Sequence, residues 1–130
     1  MAVKKAAKSA KELRVYQQAY ELAMEIYRLS KAWPKEETYA LTDQIRRSSR
    51  SVCANLKEAW AKRRYEAHFI SKLTDADAEN GETETWLDFA LDCQYQSKEQ
   101  HEKLSYRCQE IGGMIGSMLK LSSTFVTSSD

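Results

Sequence analysis

Residues able to do acid–base, metal or nucleophilic chemistry are few and badly spaced for it. The two histidines, His68 and His101, have Tyr65 and Lys98 three positions before them, whereas a di-iron helix bundle needs Glu-x-x-His pairs. The three cysteines, Cys53, Cys93 and Cys108, are odd in number and never form a CxxC pair, which argues against a zinc site or a disulfide framework and for small buried thiols in a reducing compartment. HExxH, a phosphate-binding loop and a G-x-S-x-G elbow are all missing. The expectation is therefore a protein that is not an enzyme, with no catalytic residues, no metal ligands and no cofactor.

The chemistry that is present is electrostatic. From residue 43 to 64 the chain holds seven basic residues, Arg46, Arg47, Arg50, Lys57, Lys62, Arg63 and Arg64, against Asp43 and Glu58. From residue 65 to 93 it holds eight acidic residues against Lys72 alone. The net charge of +1 hides this segregation. On a helix turning about 100° per residue, Arg46, Arg50, Lys57 and Arg64 fall within about 40° of one another, a ridge about 27 Å long that points away from the apolar stripe. Such a ridge could follow a phosphate backbone and gain affinity from counterion release. It could equally pair with the acidic segment, in the same chain or across a subunit interface, or stay a solvated surface. Gln44, Arg47, Ser51, Asn55 and Glu58 form a second strip, expected to make an interhelical hydrogen-bond network. The tyrosines and tryptophans could stack bases, but mostly fall at helical spacing beside the core, where packing is the safer expectation.

The elements that must position these groups are helices. Gly occurs four times and Pro once in 130 residues, too few turn-formers for a sheet protein. Val15, Ala19, Leu22, Ile26, Leu29 and Trp33 step by alternating fours and threes up to Pro34, which ends the first helix and suits the first turn of the next. A second helix is expected over residues 35–64, with Leu41, Ile45, Val52, Leu56, Ala59 and Trp60 inward. A third over 66–95 carries Phe69, Leu73, Ala76, Leu87 and Leu91, with Gly81 as a soft spot. The fourth, over 97–121, carries Leu104, Cys108, Ile111, Ile115 and Met118. Gly112 and Gly116 flank that last seam and suit close packing or a subunit contact, although Gly112-Gly113 could open a loop.

Four long amphipathic helices with short turns make an all-α, antiparallel up-down four-helix bundle. The expected organisation is a basic flexible arm at residues 1–11, carrying Lys4, Lys5, Lys8 and Lys11, then the bundle at 12–121, then a disordered Ser/Thr-rich tail at 122–130. The start, Met1-Ala2-Val3-Lys4-Lys5, lacks an apolar secretory core, and no apolar run reaches the ~18 residues of a membrane span, so a cytoplasmic protein with no membrane partner is expected.

Residues 13–17 (LRVYQ), Trp33-Pro34 with Glu37, residues 41–48 (LTDQIRRS), Ser51-Val52 and Asn55-Leu56-Lys57-Glu58 resemble the bacterial four-helix bundle proteins encoded in intervening sequences of 23S rRNA genes. More distantly, the chain is similar to the accessory variability determinant of diversity-generating retroelements. The resemblance spans about residues 11–121 and is strongest in the second helix. Where the family usually has glycine after the Asn-x-x-Glu segment, this chain has Ala59. The resemblance implies a homopentameric barrel of bundles, RNA or DNA phosphate as a partner, and for the retroelement relatives a reverse transcriptase. On it, the expected function is a nucleic-acid-binding accessory protein. Arg46, Arg50, Lys57 and Arg64 would then meet phosphate, assisted by Arg47, Lys62, Arg63 and the N-terminal lysines. The competing expectation is a protein-interaction scaffold that docks a polymerase.

Overall fold

The computed structural model describes residues 7–126, which form four α-helices and three short 3-10 turns; residues 1–6 and 127–130, with Lys4 and Lys5, lie outside the described residues. The helices are α1 (Arg14–Ser30), α2 (Leu41–Ala61), α3 (Glu66–Asp92) and α4 (Lys98–Lys120). Each packs on its neighbours in chain order and α4 closes the ring onto α1, with the α2–α3 seam the most extensive. This is the up-down four-helix bundle that the apolar spacing predicts.

The stripes read from the sequence are the core. Ile45, Ala59, Phe69, Leu73, Ala76, Leu87 and Ile115 are fully shielded from solvent, and Val15, Leu22, Ile26, Leu56, Leu104, Cys108 and Ile111 nearly so. Leu29, Trp60 and Leu91 sit at the edge, half-buried. Ala59 is fully shielded, and α2 runs on through it to Ala61. Helix α4 is likewise continuous through Gly112 and Gly113, so the loop alternative falls away. A β-carbon at Gly112 would come within 3.4 Å of the Asn80 amide, whereas Gly116 faces open space; close approach is needed at one glycine of the pair only.

The boundaries differ from the expected ones for local reasons. Lys35–Glu37 is a separate 3-10 turn after Pro34, and α2 starts at Leu41, six residues later than expected. Glu37 fixes that start: its carboxylate accepts from the Leu41 backbone N–H at 3.3 Å and from the Tyr95 hydroxyl at 2.8 Å. An acidic group suits the positive end of a helix. The same contact, then burial, raises the Tyr95 hydroxyl pKa to about 12. At its other end α3 stops at Asp92 because Gln94 turns left-handed (φ 64°), letting Tyr95 N–H donate to the Ala90 carbonyl at 2.8 Å and Gln94 N–H to Leu91 at 2.9 Å. This is a Schellman cap, with glutamine in place of the usual glycine. Ser97 and Gln100 then form a full capping box for α4.

Both ends of the described chain depart from the expected loose arm and tail. Ala10 is buried within a 3-10 turn, Ala10–Glu12, so the arm docks before residue 12. Ser122–Thr124 forms another turn, Ser122 donates to Glu66 at 3.2 Å, and the Phe125 ring lies 5.6 Å from that of Phe69. Residues 122–125 are held against the bundle through Phe125, because an aromatic ring gains more from the core edge than from water.

The expected polar strip crosses between helices at Glu58, while the buried crossings lie at other residues. In the strip, Asn55 bonds back to Ser51 of its own helix at 2.9 Å, and Glu58 reaches Lys72 of α3 at 3.0 Å. The buried cross-links are instead Thr83 donating to the Ser48 hydroxyl at 2.8 Å and the Asn80 amide donating to the Cys108 carbonyl at 2.8 Å. Arg107 of α4 pairs with Glu25 of α1 and closes the ring.

Cys53 and Cys108 are buried as expected, but Cys93 is exposed at the end of α3. Burial pushes the Cys53 thiol up to about 11 and the Cys108 thiol up to about 12. Both therefore stay protonated and shielded at pH 8, where thiol reagents attack thiolates. Ellman's reagent should titrate about one thiol per native chain quickly, and all three after unfolding in guanidinium. Fast reaction of two or three thiols would contradict this packing.

Candidate nucleic-acid interface

The basic residues of α2 do not act as one ridge. Because α2 ends at Ala61, the helical alignment stops there, and the ridge comprises Arg46, Arg50 and Lys57, about 16 Å along the axis rather than 27 Å. Lys62, Arg63 and Arg64 lie in the turn beyond. Arg63 is committed to that turn: its guanidinium donates to the Trp60 carbonyl at 2.8 Å and lies 3.9 Å from the centre of the Trp60 ring. A basic side chain on the last carbonyls caps a helix C-terminus, and this one helps end α2. Arg64 lies over Tyr65 at 5.9 Å, beside the bundle end.

Arg47 points to the other side of α2. It lines a polar hollow of about 290 Å³ with Gln44, Ser48, Ser51, Glu79 and Glu82, between α2 and acidic α3. Burial, and then the Glu82 charge, raise the Glu79 carboxyl pKa, while Arg47 pulls it back down. Arg47 therefore serves the α2–α3 seam and does not join Arg46 and Arg50.

Arg46 and Arg50 turn toward α1, where they meet residues that the charge pattern did not single out. The Arg46 guanidinium donates from Nε to the Ser30 hydroxyl at 2.9 Å and lies 4.9 Å from the centre of the Tyr27 ring. The Arg50 guanidinium lies 5.6 Å from the same ring, and the Lys31 ammonium 4.7 Å. Three cations thus surround one tyrosine. Among the described residues none of them, and neither Lys57 nor Arg64, has a carboxylate within 4.0 Å; the ion pairs there are Lys72 with Glu58 and Asp75, His101 with Asp88, and Arg107 with Glu25. Tyr27 is half-buried, and a cation–π contact near the surface is worth about 0.5–1 kcal/mol, enough to orient the guanidiniums but not to neutralise them.

Along α1 the same face continues with aromatics. Tyr16 and Tyr20 stack with ring centres 6.2 Å apart, and Tyr20 is 54% exposed, as is Met24 in part. Tyr16, Tyr20, Met24, Tyr27 and Lys31 sit about a helical turn apart, just beside the α1 seam. That spacing was the available clue, masked because Trp33 and Tyr95, with rings 6.0 Å apart, do pack inward as aromatics usually do.

These features coincide with a recognisable sequence. Residues 11–117 match the family described as 23S rRNA-intervening sequence protein. The chain belongs to that family. Among solved structures it is similar to a protein of unknown function from the S23 ribosomal protein family of Bacteroides thetaiotaomicron VPI-5482, with 34% identity and a TM-score of 0.75 over 82% of this chain and 95% of that one. No curated protein is significantly similar to it. The match to the 23S rRNA-intervening sequence family takes in α1, α2 and α3 whole and most of α4, so the α1–α2 face lies inside it.

No three His, Cys, Asp or Glu side chains converge as metal ligands among the described residues. Nor is any helix among them long and apolar enough to cross a membrane. His101 Nε2 lies 2.7 Å from Asp88 on the surface, and His68 packs against Tyr65.

Proposed function

We propose that this chain is a non-enzymatic nucleic-acid-binding accessory protein, with RNA as its first ligand, working as a homopentameric ring of bundles in the cytoplasm. The observation that carries the nucleic-acid reading is the cluster of Lys31, Arg46 and Arg50 around Tyr27, with no carboxylate among the described residues paired to any of them. Like charges held within one ring's reach repel one another until an anion joins them, and a polyphosphate backbone supplies anions in a row. Lys57 extends the track. Arg47 and Arg63 do not belong to it, and Lys62 and Arg64 would meet only a strand that runs off the end of α2. Contacts of this type position a strand and carry little sequence information. The family's rRNA-derived description supports RNA, and the resemblance supports the ring.

The test is binding of structured RNA and of duplex DNA at rising salt, alongside light scattering. Tight binding with a steep negative salt dependence supports the proposal; absence of binding at 50 mM salt would sink it.

A second reading, a scaffold that docks a protein such as a reverse transcriptase, has its own observation. On the α2–α3 side, Trp86 lines a hollow of about 330 Å³ together with Glu37, Leu41, Gln44 and Phe89 among others. Phe89 is 53% exposed beside it. An apolar hollow with an exposed aromatic ring at its edge suits an apolar anchor side chain of a partner. This face is separate from the cation cluster, so one ring could hold both partners.

A further inference from the structure

Building on the nucleic-acid function proposed above, we propose that the strand bound on the α1–α2 face is single-stranded, and that an unpaired base stacks on Tyr20. Tyr16 and Tyr20 form a wall between two surface hollows. One, of about 360 Å³, is bordered by Lys11, Gln17 and Glu21; the other, of about 270 Å³, by Ala23, Met24, Arg50 and Cys53. The second has no carboxylate on its lining, and its wall and floor are aromatic rings, a methionine and an alanine. At its rim stands Arg50, the guanidinium that also belongs to the cation cluster. The hollow therefore opens directly onto the phosphate track.

That combination selects unpaired over paired nucleic acid. A duplex presents phosphates but keeps its base faces stacked inside, so it could use Arg46, Arg50 and Lys57 and leave Tyr20 idle. A single strand can lay its phosphates along the cations and turn a base onto the exposed ring. The hollow is at the small end for a ligand site, room for one planar base rather than a compact ligand. Every base has a π-face, so the contact favours the better-stacking purines without reading sequence. Tyr20 is more than half exposed and lies outside the core, touching it through Tyr16, so Tyr20→Ala should leave the fold intact, checked by circular dichroism.

The experiment uses the full chain and three labelled probes of equal length, oligoadenylate RNA, oligouridylate RNA and an RNA duplex, followed by fluorescence anisotropy at two salt concentrations. Wild type should bind oligoadenylate more tightly than oligouridylate or duplex. Tyr20→Ala should weaken oligoadenylate binding about 5- to 150-fold, the range for loss of one stacked base, with an unchanged salt slope. Tyr20→Phe should bind as wild type. Should Tyr20→Ala bind oligoadenylate like wild type while Arg46→Glu/Arg50→Glu loses it, base stacking is overturned and the phosphate track stands. Tighter binding of duplex than of oligoadenylate overturns the single-strand preference in the same way. If no probe binds wild type at all, the nucleic-acid function itself fails and this inference with it.

Discussion

Replacing Phe69 with alanine should destabilise the bundle by about 3–5 kcal/mol, the usual range for deleting a fully buried aromatic side chain. Phe69 is fully shielded near the start of α3 and is the largest side chain completely enclosed in the core. The loss combines transfer of the ring to water with a cavity that Leu73, on the next turn, cannot fill by relaxing alone. In thermal unfolding followed by circular dichroism, the expected fall in Tm is roughly 10–20 °C for a domain of this size. Phe125→Ala should cost only about 1 kcal/mol, since that ring is half-buried, and should loosen the end of the chain around Ser122 without melting α3. Equal costs for the two substitutions would mean that the tail is part of the core rather than a cover laid on it.

The second large effect is on binding. Arg46→Glu/Arg50→Glu removes two phosphate contacts and adds two negative charges at the same place. The slope of log affinity against log salt should become shallower by about 1.4 for a single strand or about 1.8 for a duplex, and affinity should fall by roughly one to two orders of magnitude. The double variant also gives up the Ser30 hydrogen bond and the two contacts with Tyr27, about 1–2 kcal/mol of stability. Arg46→Gln/Arg50→Gln controls for this: it gives up the same contacts but adds no negative charge, so it should bind between wild type and the reversed variant. Arg47→Glu should leave the salt slope alone, because Arg47 lies on the α3 side beside Glu79 and Glu82. If Arg47→Glu flattens the slope as strongly as the double change, the ligand follows the polar seam between α2 and α3.

The bundle was legible in the chain because period-3.6 burial is a strong, redundant pattern: losing one stripe residue, as with half-buried Leu29 or Leu91, leaves the helix still assigned. Helix ends were less so, since each depends on a single contact. Nothing local to residues 35–40 announces that Glu37 will bind both Leu41 N–H and the distant Tyr95 hydroxyl, and Gln94 is not a residue that advertises a left-handed turn. In the candidate site, the helical angle of Arg46 and Arg50 correctly put them off the core. The same reasoning overextended the ridge to Arg64, because angles have meaning only while the helix lasts. It also grouped Arg47 and Arg63 with the others by charge, though one serves a helix seam and the other caps a helix. What α2 alone could not reveal is that its cations converge on Tyr27 of α1: that is a property of how two helices meet.

Photocrosslinking tests the central claim most directly. A single-stranded RNA carrying 4-thiouridine is bound to the full chain, irradiated, and the adducts are mapped after trypsin digestion. Crosslinks should concentrate in residues 15–28, which hold Tyr16, Tyr20 and Tyr27, and in residues 51–57, next to Arg50. Crosslinks confined to residues 73–98, the acidic helix with Trp86 and Phe89, would contradict the account and place any RNA on the face assigned to a protein partner.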